Sequence, residues 1–529
     1  MADCTSSRRL RGRGELIPVT NVFGSKLLRP DNSGSLLTRL RGFLVPRLAD
    51  PYLVGGFVRD TLLGESSNDI DIAVSGDAMF WARGLANYLG GTFIPLDELN
   101  SVGRVVCHVA TTVENSGDRY QIDVVSYGDD INHHLSLRDF TVNAMAIPLT
   151  KWSEGDGLAA NLLDPFGGTR DLEASILKSV SYEVFRNDPL RLLRGVRLSA
   201  QLGFLLEDKT QNFMSRDAHL LVNVAQERVR DELLKTLAEP GATKHLRLMD
   251  KLSLLGYVIP ELEDTRYVVQ PSEHYWDVFN HLIETPGNVE LVTEPSNKHN
   301  SQVASHVPWR LNFESRFEEE ISDGHTRLTL LKLAGLLHDI AKPATRSIET
   351  SGRLRFIGHD IQGANATEDI LRRLRLSNRG VNLVSKMVRH HLRPTQMSQH
   401  VDKPTQKALY RYFRDLGEVA IDVLFLNMAD YLAAKGPQVD VEDWRSHCEL
   451  MDHIMISGIE RMGIPKAAKS VIDGHELMAE LNISPGKQVG WILEEIREAQ
   501  SGGVVDSKEA ALSLARYLVK NTNGTTSED

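Results

Sequence analysis

The sequence predicts an α+β domain at its N-terminal end, followed by mostly α-helical domains. Three observations predict this. Residues 36–180 mix short apolar strand candidates with helices and glycine-rich turns. From about 181 to 265, 329 to 435 and 440 onward, the apolar residues recur at helical spacing. The chain's 529 residues and 41% hydrophobic content are enough for three or four domains with real cores.

Taken in order, residues 1–35 are polar and basic and read as a flexible arm. Pro51 to Val54 reads as a short buried strand, Gly55-Gly56 as a tight turn, and Phe57 to Leu63 as a helix ended by Gly64. Glycines before a helix let a phosphate approach free N–H groups at the helix N-terminus. Arg59, one turn in, could add a bidentate phosphate contact.

The next strand, Asn68-Asp69-Ile70-Asp71-Ile72, carries the most informative pair in the chain. Residues i and i+2 of a strand share a face, so Asp69 and Asp71 project together while Ile70 and Ile72 face the core. Two adjacent carboxylates repel unless a cation joins them, and Mg²⁺ prefers carboxylates together with phosphate oxygens.

Further strands are expected at Ile122 to Tyr127, with Asp123, and at Ala144 to Leu149. Leu163 to Leu172 is a turn-rich loop. In Asn187-Asp188-Pro189-Leu190-Arg191, Asp188 is a plausible N-cap and Pro189 suits a first helical position. Arg191, Arg194 and Arg197 share a broad face of that helix. A solvated basic face explains them; so does a nucleotide, since a carboxylate accepts from an exocyclic amine and a guanidinium donates to a ring acceptor. Cytosine and adenine present that pattern, guanine and uracil its reverse.

Composition narrows the classes. No apolar run reaches membrane-spanning length. Three scattered cysteines, Cys4, Cys107 and Cys448, give no disulfide framework or zinc ribbon, so a cytoplasmic protein is expected. A net charge of −11 argues against a generally basic nucleic-acid coat, though not against a local patch.

A second constellation lies further on: His281, then His338-Asp339 ending an apolar helix, His359, His390-His391 and Asp430. Imidazoles and carboxylates converging from separate helices suit a divalent transition metal. The stretch 286–328 between its first members is polar and reads as a surface insertion.

Several segments follow one another in a telling order: Leu53-Val54-Gly55-Gly56-Phe57-Val58-Arg59-Asp60, Asp69-Ile70-Asp71, Arg138-Asp139-Phe140-Thr141-Val142-Asn143-Ala144, Asp164-Pro165-Phe166-Gly167-Gly168, Asp188-Pro189-Leu190-Arg191 and Glu227-Arg228-Val229-Arg230-Asp231-Glu232. Together they resemble class II CCA-adding tRNA nucleotidyltransferases and bacterial poly(A) polymerases. The order His…His-Asp…His…His…Asp over 270–435 resembles HD phosphohydrolases. The tail, with Gly474-His475-Glu476-Leu477-Met478, resembles the C-terminal part of HD-bearing members.

The resemblance implies a polymerase-β-like nucleotidyltransferase head (36–180), a helical neck and body (181–265), an HD domain (270–435) and a helical tail (440–529). It implies addition of C and A from CTP and ATP to the tRNA 3′ end, with pyrophosphate released. The alternatives are CC-only, A-only or poly(A) addition, or an HD phosphohydrolase with an RNA-binding head.

By position, Asp69 and Asp71 hold two Mg²⁺, while Gly55, Gly56 and Arg59 meet the triphosphate. Arg138 meets the nucleotide. Asp188 and Arg191 form the base template, with Arg194 and Arg197 beside them. Asp123 is the candidate third carboxylate, acting on the attacking hydroxyl. In the HD domain, His281, His338, Asp339 and Asp430 form the basic metal set. His359 and one of His390 and His391 extend it, and Lys342 meets a phosphate. Leu137 and Asn187 depart from the Arg and Glu usual in the family.

Overall fold

The structure, a computed structural model, describes residues 33–48, 50–98, 101–109, 118–152, 161–294, 301–398, 403–462, 471–501 and 503–522. The expected arm over 1–35 lies almost wholly outside the described residues. The chain forms two compact units. One takes residues up to Arg191 and Leu202–Asp217; the other takes Leu192–Gln201 and everything from Ala218.

The first unit begins with α1 (Ser33–Leu44), which buries Leu36, Leu37, Leu40 and Leu44 at helical spacing. Strand β1 (Tyr52–Val54) passes directly into α2 (Gly55–Leu63), which ends on Gly64 in the left-handed conformation. Then come β2 (Asp69–Val74), α3 (Ala78–Leu89), β3 (Thr92–Asp97), β4 (Val102–Val109), β5 (Asp118–Ser126), α4 (Ile131–Ser136) and β6 (Ala146–Pro148). The six strands form one mixed sheet in the order β3-β4-β5-β2-β1-β6. Only β2 and β5 run parallel, as the α3 crossover requires; the other pairs are antiparallel. Val54, Ala73, Leu135, Ala144 and Ala146 share one apolar cluster in this unit.

The unit continues through α5 (Gly168–Glu173), β7 (Ile176–Leu177), α6 (Val184–Asn187) and the start of α7 (Leu190–Leu202), then β8 (Leu205–Leu206) and α8 (Asp208–Asp217). This differs from the expected break at 180/181. Strand β7 pairs with β8, Phe185 packs on Phe140, and Arg186 meets Asp217, which ties 181–191 and 202–217 to the same unit. The Asp164-Pro165-Phe166-Gly167-Gly168 segment is a helix start. The Asp164 carboxylate accepts from the N–H groups of Gly168 and Thr169. A β-carbon at Gly168 would overlap the Thr141 carbonyl, so the close contact requires glycine there.

The second unit is helical. It contains α9 (Gln226–Ala238), α10 (Ala242–Lys251), α11 (Leu255–Val258) and α12 (Val278–Thr293). These lead to α13 (Phe313–Glu318), hairpin strands β9 (Glu320–Ser322) and β10 (His325–Thr326), and α14 (Arg327–Leu337). A short α15 (Lys342–Thr345), the hairpin β11 (Arg346–Ile348) and β12 (Leu354–Phe356), α16 (His359–Arg373), α17 (Asn378–His390) and α18 (Arg393–Gln396) follow. After them run α19 (Gln406–Leu416), α20 (Ala420–Lys435) and α21 (Val441–Met462). Helices α22 (Gly474–Leu481), α23 (Lys487–Ser501) and α24 (Lys508–Thr522) build their own cluster from Ile472, Leu477, Ile492, Ile496 and Ala515.

The stretch 286–328 is not a polar surface insertion. Helix α12 runs through Pro286 to Thr293 and buries Val289 and Val292. The Thr285 hydroxyl bonds the His281 carbonyl one turn back, beside the donor that proline removes. Further along, Trp309, Phe313 and Phe317 pack around Phe425 of α20, with ring centroids 5.0–6.0 Å from it.

Candidate functional site

Strand β2 places Asp69 and Asp71 on one face, Asp69 exposed and Asp71 half-buried, while Ile70 and Ile72 are buried beneath. The β1–α2 junction presses against this pair. Gly55 sits at φ +70°, and a β-carbon there would overlap Asp71 Oδ2 and come within 3.1 Å of Arg138 Nη1. Only glycine satisfies both the conformation and the space. The Gly56 N–H donates to Asp71 Oδ2 at 3.3 Å. A carboxylate pair at the start of a helix, beside a guanidinium, suits a divalent cation carrying phosphates.

Arg138 is held by His134, whose Nε2 lies 3.1 Å from its Nη2. Burial, then the charge of Arg138, pushes His134 down to about 4, so its ring is neutral and accepts from the guanidinium. The sequence reading passed over His134.

Two of the expected site residues are engaged by other side chains in this unit. Asp123 does stand opposite Asp71 in the parallel register. However, Arg104, its partner across β4, takes both carboxylate oxygens at 2.7 and 2.8 Å. A carboxylate engaged by a fork of N–H donors is badly placed to take a proton from a hydroxyl. Arg104 is itself raised, first by its hydrogen bond to Asp123 and further by Asp69 and Asp71, which lie within electrostatic reach. Arg59, expected at the triphosphate, is buried (5% exposed) and spends its donors on Asp60 at 2.8 Å and Asn143 at 2.7 Å. Asn143 in turn bonds Asp139. Arg59 therefore braces α2 against the 139–143 turn.

At the α6–α7 junction, Asp188 Oδ1 accepts from the Leu190 N–H at 3.2 Å, and Arg191 Nε lies 3.9 Å from Asp188 Oδ2. Both side chains stay partly exposed (33% and 22%). In the second unit's part of α7, Arg194 is exposed. Arg197 instead pairs with Glu232 at 2.7 Å and Gln201 at 2.9 Å. Glu232 is buried and needs a counter-charge, which makes Arg197 a brace to α9.

The second unit gathers the histidines. His281, His338, Asp339 and Asp430 form one group whose ligand atoms all lie within 4.8 Å, and Asp339, His359 and His391 form another. Asp339 belongs to both. Its Oδ2 lies 3.4 and 3.2 Å from the Nε2 atoms of His281 and His338, and its Oδ1 lies 3.2 and 3.6 Å from those of His359 and His391. Backbone carbonyls fix three rings: the Nδ1 of His338, His359 and His391 donates to Gly335, Phe356 and Val388. Every one of these Nε2 lone pairs is thereby turned inward.

The buried Nε2 atoms of His359 and His391 and Oδ1 of Asp339 have no hydrogen-bond partner. Buried polar atoms left so are costly, and a divalent cation held by these groups would satisfy them. Burial opposes charge on His338, but Asp339 and Asp430 outweigh it and raise the ring to about 10.

Of the two candidates, His391 stands in a group with Asp339 and His359. His390 points elsewhere, held down to about 4 by burial and then by Arg393, Lys386 and Arg389. Lys342 is buried against Asp339 at 2.5 Å and Gln270 at 2.6 Å, so it braces the shared ligand rather than standing open to a phosphate.

Comparison with known proteins matches this arrangement. The "Poly A polymerase head domain" family matches residues 51–178, "Probable RNA and SrmB- binding site of polymerase A" matches 203–265, and "HD domain" matches 314–435. The chain is 32% identical to the A-adding tRNA nucleotidyltransferase of Deinococcus radiodurans over 92% of its length and 99% of that protein. The chain belongs to the tRNA nucleotidyltransferase family. This nucleotidyltransferase is also 31% identical to the CC-adding enzyme of Thermus thermophilus, over 90% of this chain and 94% of that protein. In fold it resembles a Thermotoga maritima CCA-adding enzyme solved with tRNA, at 21% identity and a TM-score of 0.58, over 95% and 99% of the two chains. HD and nucleotidyltransferase domains are divalent-metal folds, and the chain carries groups that fit such ions. No helix among the described residues is long and apolar enough to cross a membrane.

Proposed function

We propose that this nucleotidyltransferase adds C and A residues from CTP and ATP to the 3′ end of tRNA. The 3′-hydroxyl attacks the α-phosphorus, and pyrophosphate leaves. The observation that carries the reading is the Asp69/Asp71 pair on one strand face, with Gly55 pressed against it and Arg138 beside it. Held by Asp69 and Asp71, Mg²⁺ supplies Lewis-acid stabilisation of the phosphoryl oxygens and activation of the hydroxyl. Gly55 and Gly56 leave room for phosphates at the α2 N-terminus. Arg138, oriented by neutral His134, donates to the nucleotide. Arg104, oriented by Asp123, offers positive charge beside the acid pair. Asp188 accepts from the exocyclic amine and Arg191 donates to the neighbouring acceptor, which selects C and A over G and U.

The test gives the protein, with Mg²⁺, tRNA ending at each stage of the terminus and one nucleotide at a time. Incorporation of C and then A is expected; an untemplated A tail on generic RNA would assign poly(A) synthesis instead. The A-adding and CC-adding relatives favour a second reading, restriction to one stage, which the same series reads directly. The converging imidazoles support an accessory HD phosphohydrolase holding a divalent transition metal. Release of phosphate from simple phosphate esters by metal-loaded protein tests it. Such a substrate and the thiols Cys107 and Cys448 suit the reducing cytoplasm.

A further inference from the structure

Between Arg375 and Arg414 the sequence carries nine lysines and arginines against one acidic residue, Asp402, in a chain of net charge −11. Among the described residues, none of these cations pairs with a candidate metal ligand of the HD cluster. Helix α17 presents Arg379, Lys386 and Arg389 on the side opposite its buried Val381, Val384, Met387 and Val388. Arg393 opens α18 and extends the row to a length of roughly 20 Å. His390, the ring left out of the metal cluster, lies among Lys386, Arg389 and Arg393.

On α17 the partners are a surface carboxylate and an amide, and only Arg393 has a half-buried carboxylate partner. Arg379 meets Glu319 at 3.4 Å on the surface, Arg389 donates to the Asn365 amide at 3.0 Å, and Arg393 pairs with Asp415 at 2.8 Å. Exposed ion pairs are worth about 0–1 kcal/mol, so a phosphate can replace them. Two cavities lie along the row. One of about 450 Å³ is lined by Arg379, Lys386 and Glu418, and one of about 260 Å³ by Arg393, Lys407 and Arg411. Lys407 and Arg411 are already neutralised by buried Glu498, so α17 supplies the available charge.

We propose that the α17–α18 cation row is a docking surface for the phosphate backbone of tRNA, separate from the nucleotide chemistry. It rests on the tRNA reading above. A row of cations on an otherwise acidic protein attracts a polyanion locally and repels it elsewhere, which favours one binding register.

The test compares full-length parent protein with an R379E/K386E/R389E variant. tRNA affinity is measured across a salt titration, alongside nucleotide incorporation at saturating tRNA. The variant should bind about tenfold or more weakly, with the slope of log K against log salt smaller by about 1 per lost contact. Its kcat and its KM for CTP should match the parent. An R346E/R353E/R445E variant, changed at exposed cations outside the 203–265 segment, controls for net charge, and R379Q/K386Q/R389Q repeats the test should charge reversal unfold the helix. Parent-like affinity and slope, or a loss equal to that of the control, overturns the docking surface while leaving tRNA extension intact. A parent that neither binds nor extends tRNA overturns the functional reading and this surface with it.

Discussion

The two metal-competent sites solve one electrostatic problem in opposite ways. In the head, Asp69 and Asp71 stand at a solvent-facing strand surface, and the protein brings two carboxylates, a glycine turn and nearby guanidinium groups. In the HD region, four imidazoles and two carboxylates converge, with His281, His338 and His391 wholly buried. The first site is incomplete until a nucleotide's phosphates arrive, which suits a metal that enters with its substrate. The second is preassembled, and its orphaned Nε2 atoms could hold an ion with no substrate present. On this reading an open acid pair would couple metal occupancy to nucleotide binding, and a closed cluster would not.

Removing a head carboxylate should break that coupling most severely. Asp69→Ala or Asp71→Ala should lower nucleotide incorporation by about 10³-fold or more, since the charge forming on the phosphates loses its counter-ion. Metal retained by the HD cluster, measured by elemental analysis after gel filtration, should not change. If Asp71→Ala extended tRNA at the parental rate, the pair would not be the catalytic metal site. Gly55→Ala comes next. It forces an L-residue into the left-handed region, at about 1–2 kcal/mol, and pushes a methyl into Asp71. About a 10²-fold loss in kcat/KM is expected, with a small drop in Tm.

The HD cluster should respond in the opposite sense. Asp339→Ala removes the ligand common to both groups and should strip retained metal, while head activity stays within about twofold. His390→Ala should leave metal content untouched, whereas His391→Ala should lower it. Equal effects from the two histidines would contradict the geometry.

The uneven legibility of the two sites has a physical cause. Asp69 and Asp71 were readable because strand periodicity alone puts them on one face. The HD ligands come from positions as far apart as His281 and Asp430, and nothing local says they meet; only their order suggested it. Three roles needed coordinates. Arg104 faces Asp123 through an antiparallel register that no spacing in the sequence encodes. Arg59 turns inward because Asn143 and Asp60 compete for it. The 286–328 stretch looked like an insertion because it is polar with few apolar periods, yet α12 carries its first residues on to Thr293. Fold class was legible because strand and helix periods differ so strongly between the two halves.

A subtler effect concerns His134. With its ring at about 4 in the folded protein and near 6.5 when unfolded, the folded state binds fewer protons between those values. The associated stability is complete above pH 6.5 and is lost as pH falls towards 4. His134→Phe should flatten that part of the profile of Tm against pH. It should also raise KM for CTP several-fold at pH 7, more than it lowers kcat, because Arg138 loses its acceptor. An unchanged KM would mean that Arg138 is held by other contacts.

The smallest effect should come from the two departures. Leu137 closes α4 half-exposed, and Asn187 ends α6 on the surface beside Asp188. Neither is packed, so Leu137→Arg and Asn187→Glu should shift stability by no more than about 0.5 kcal/mol. Their influence is electrostatic. A glutamate at 187 adds a second negative charge beside Asp188 at the C-terminal end of α6, where the helix dipole disfavours it. It should tighten Arg191 against the junction and change the ratio of KM for CTP to KM for ATP by less than about fivefold. An arginine at 137, next to Arg138, adds a cation and should lower KM for both nucleotides alike. A switch in base preference with Leu137→Arg would move part of the base recognition away from Asp188 and Arg191, and with it the division between an open phosphate site and a separate base template.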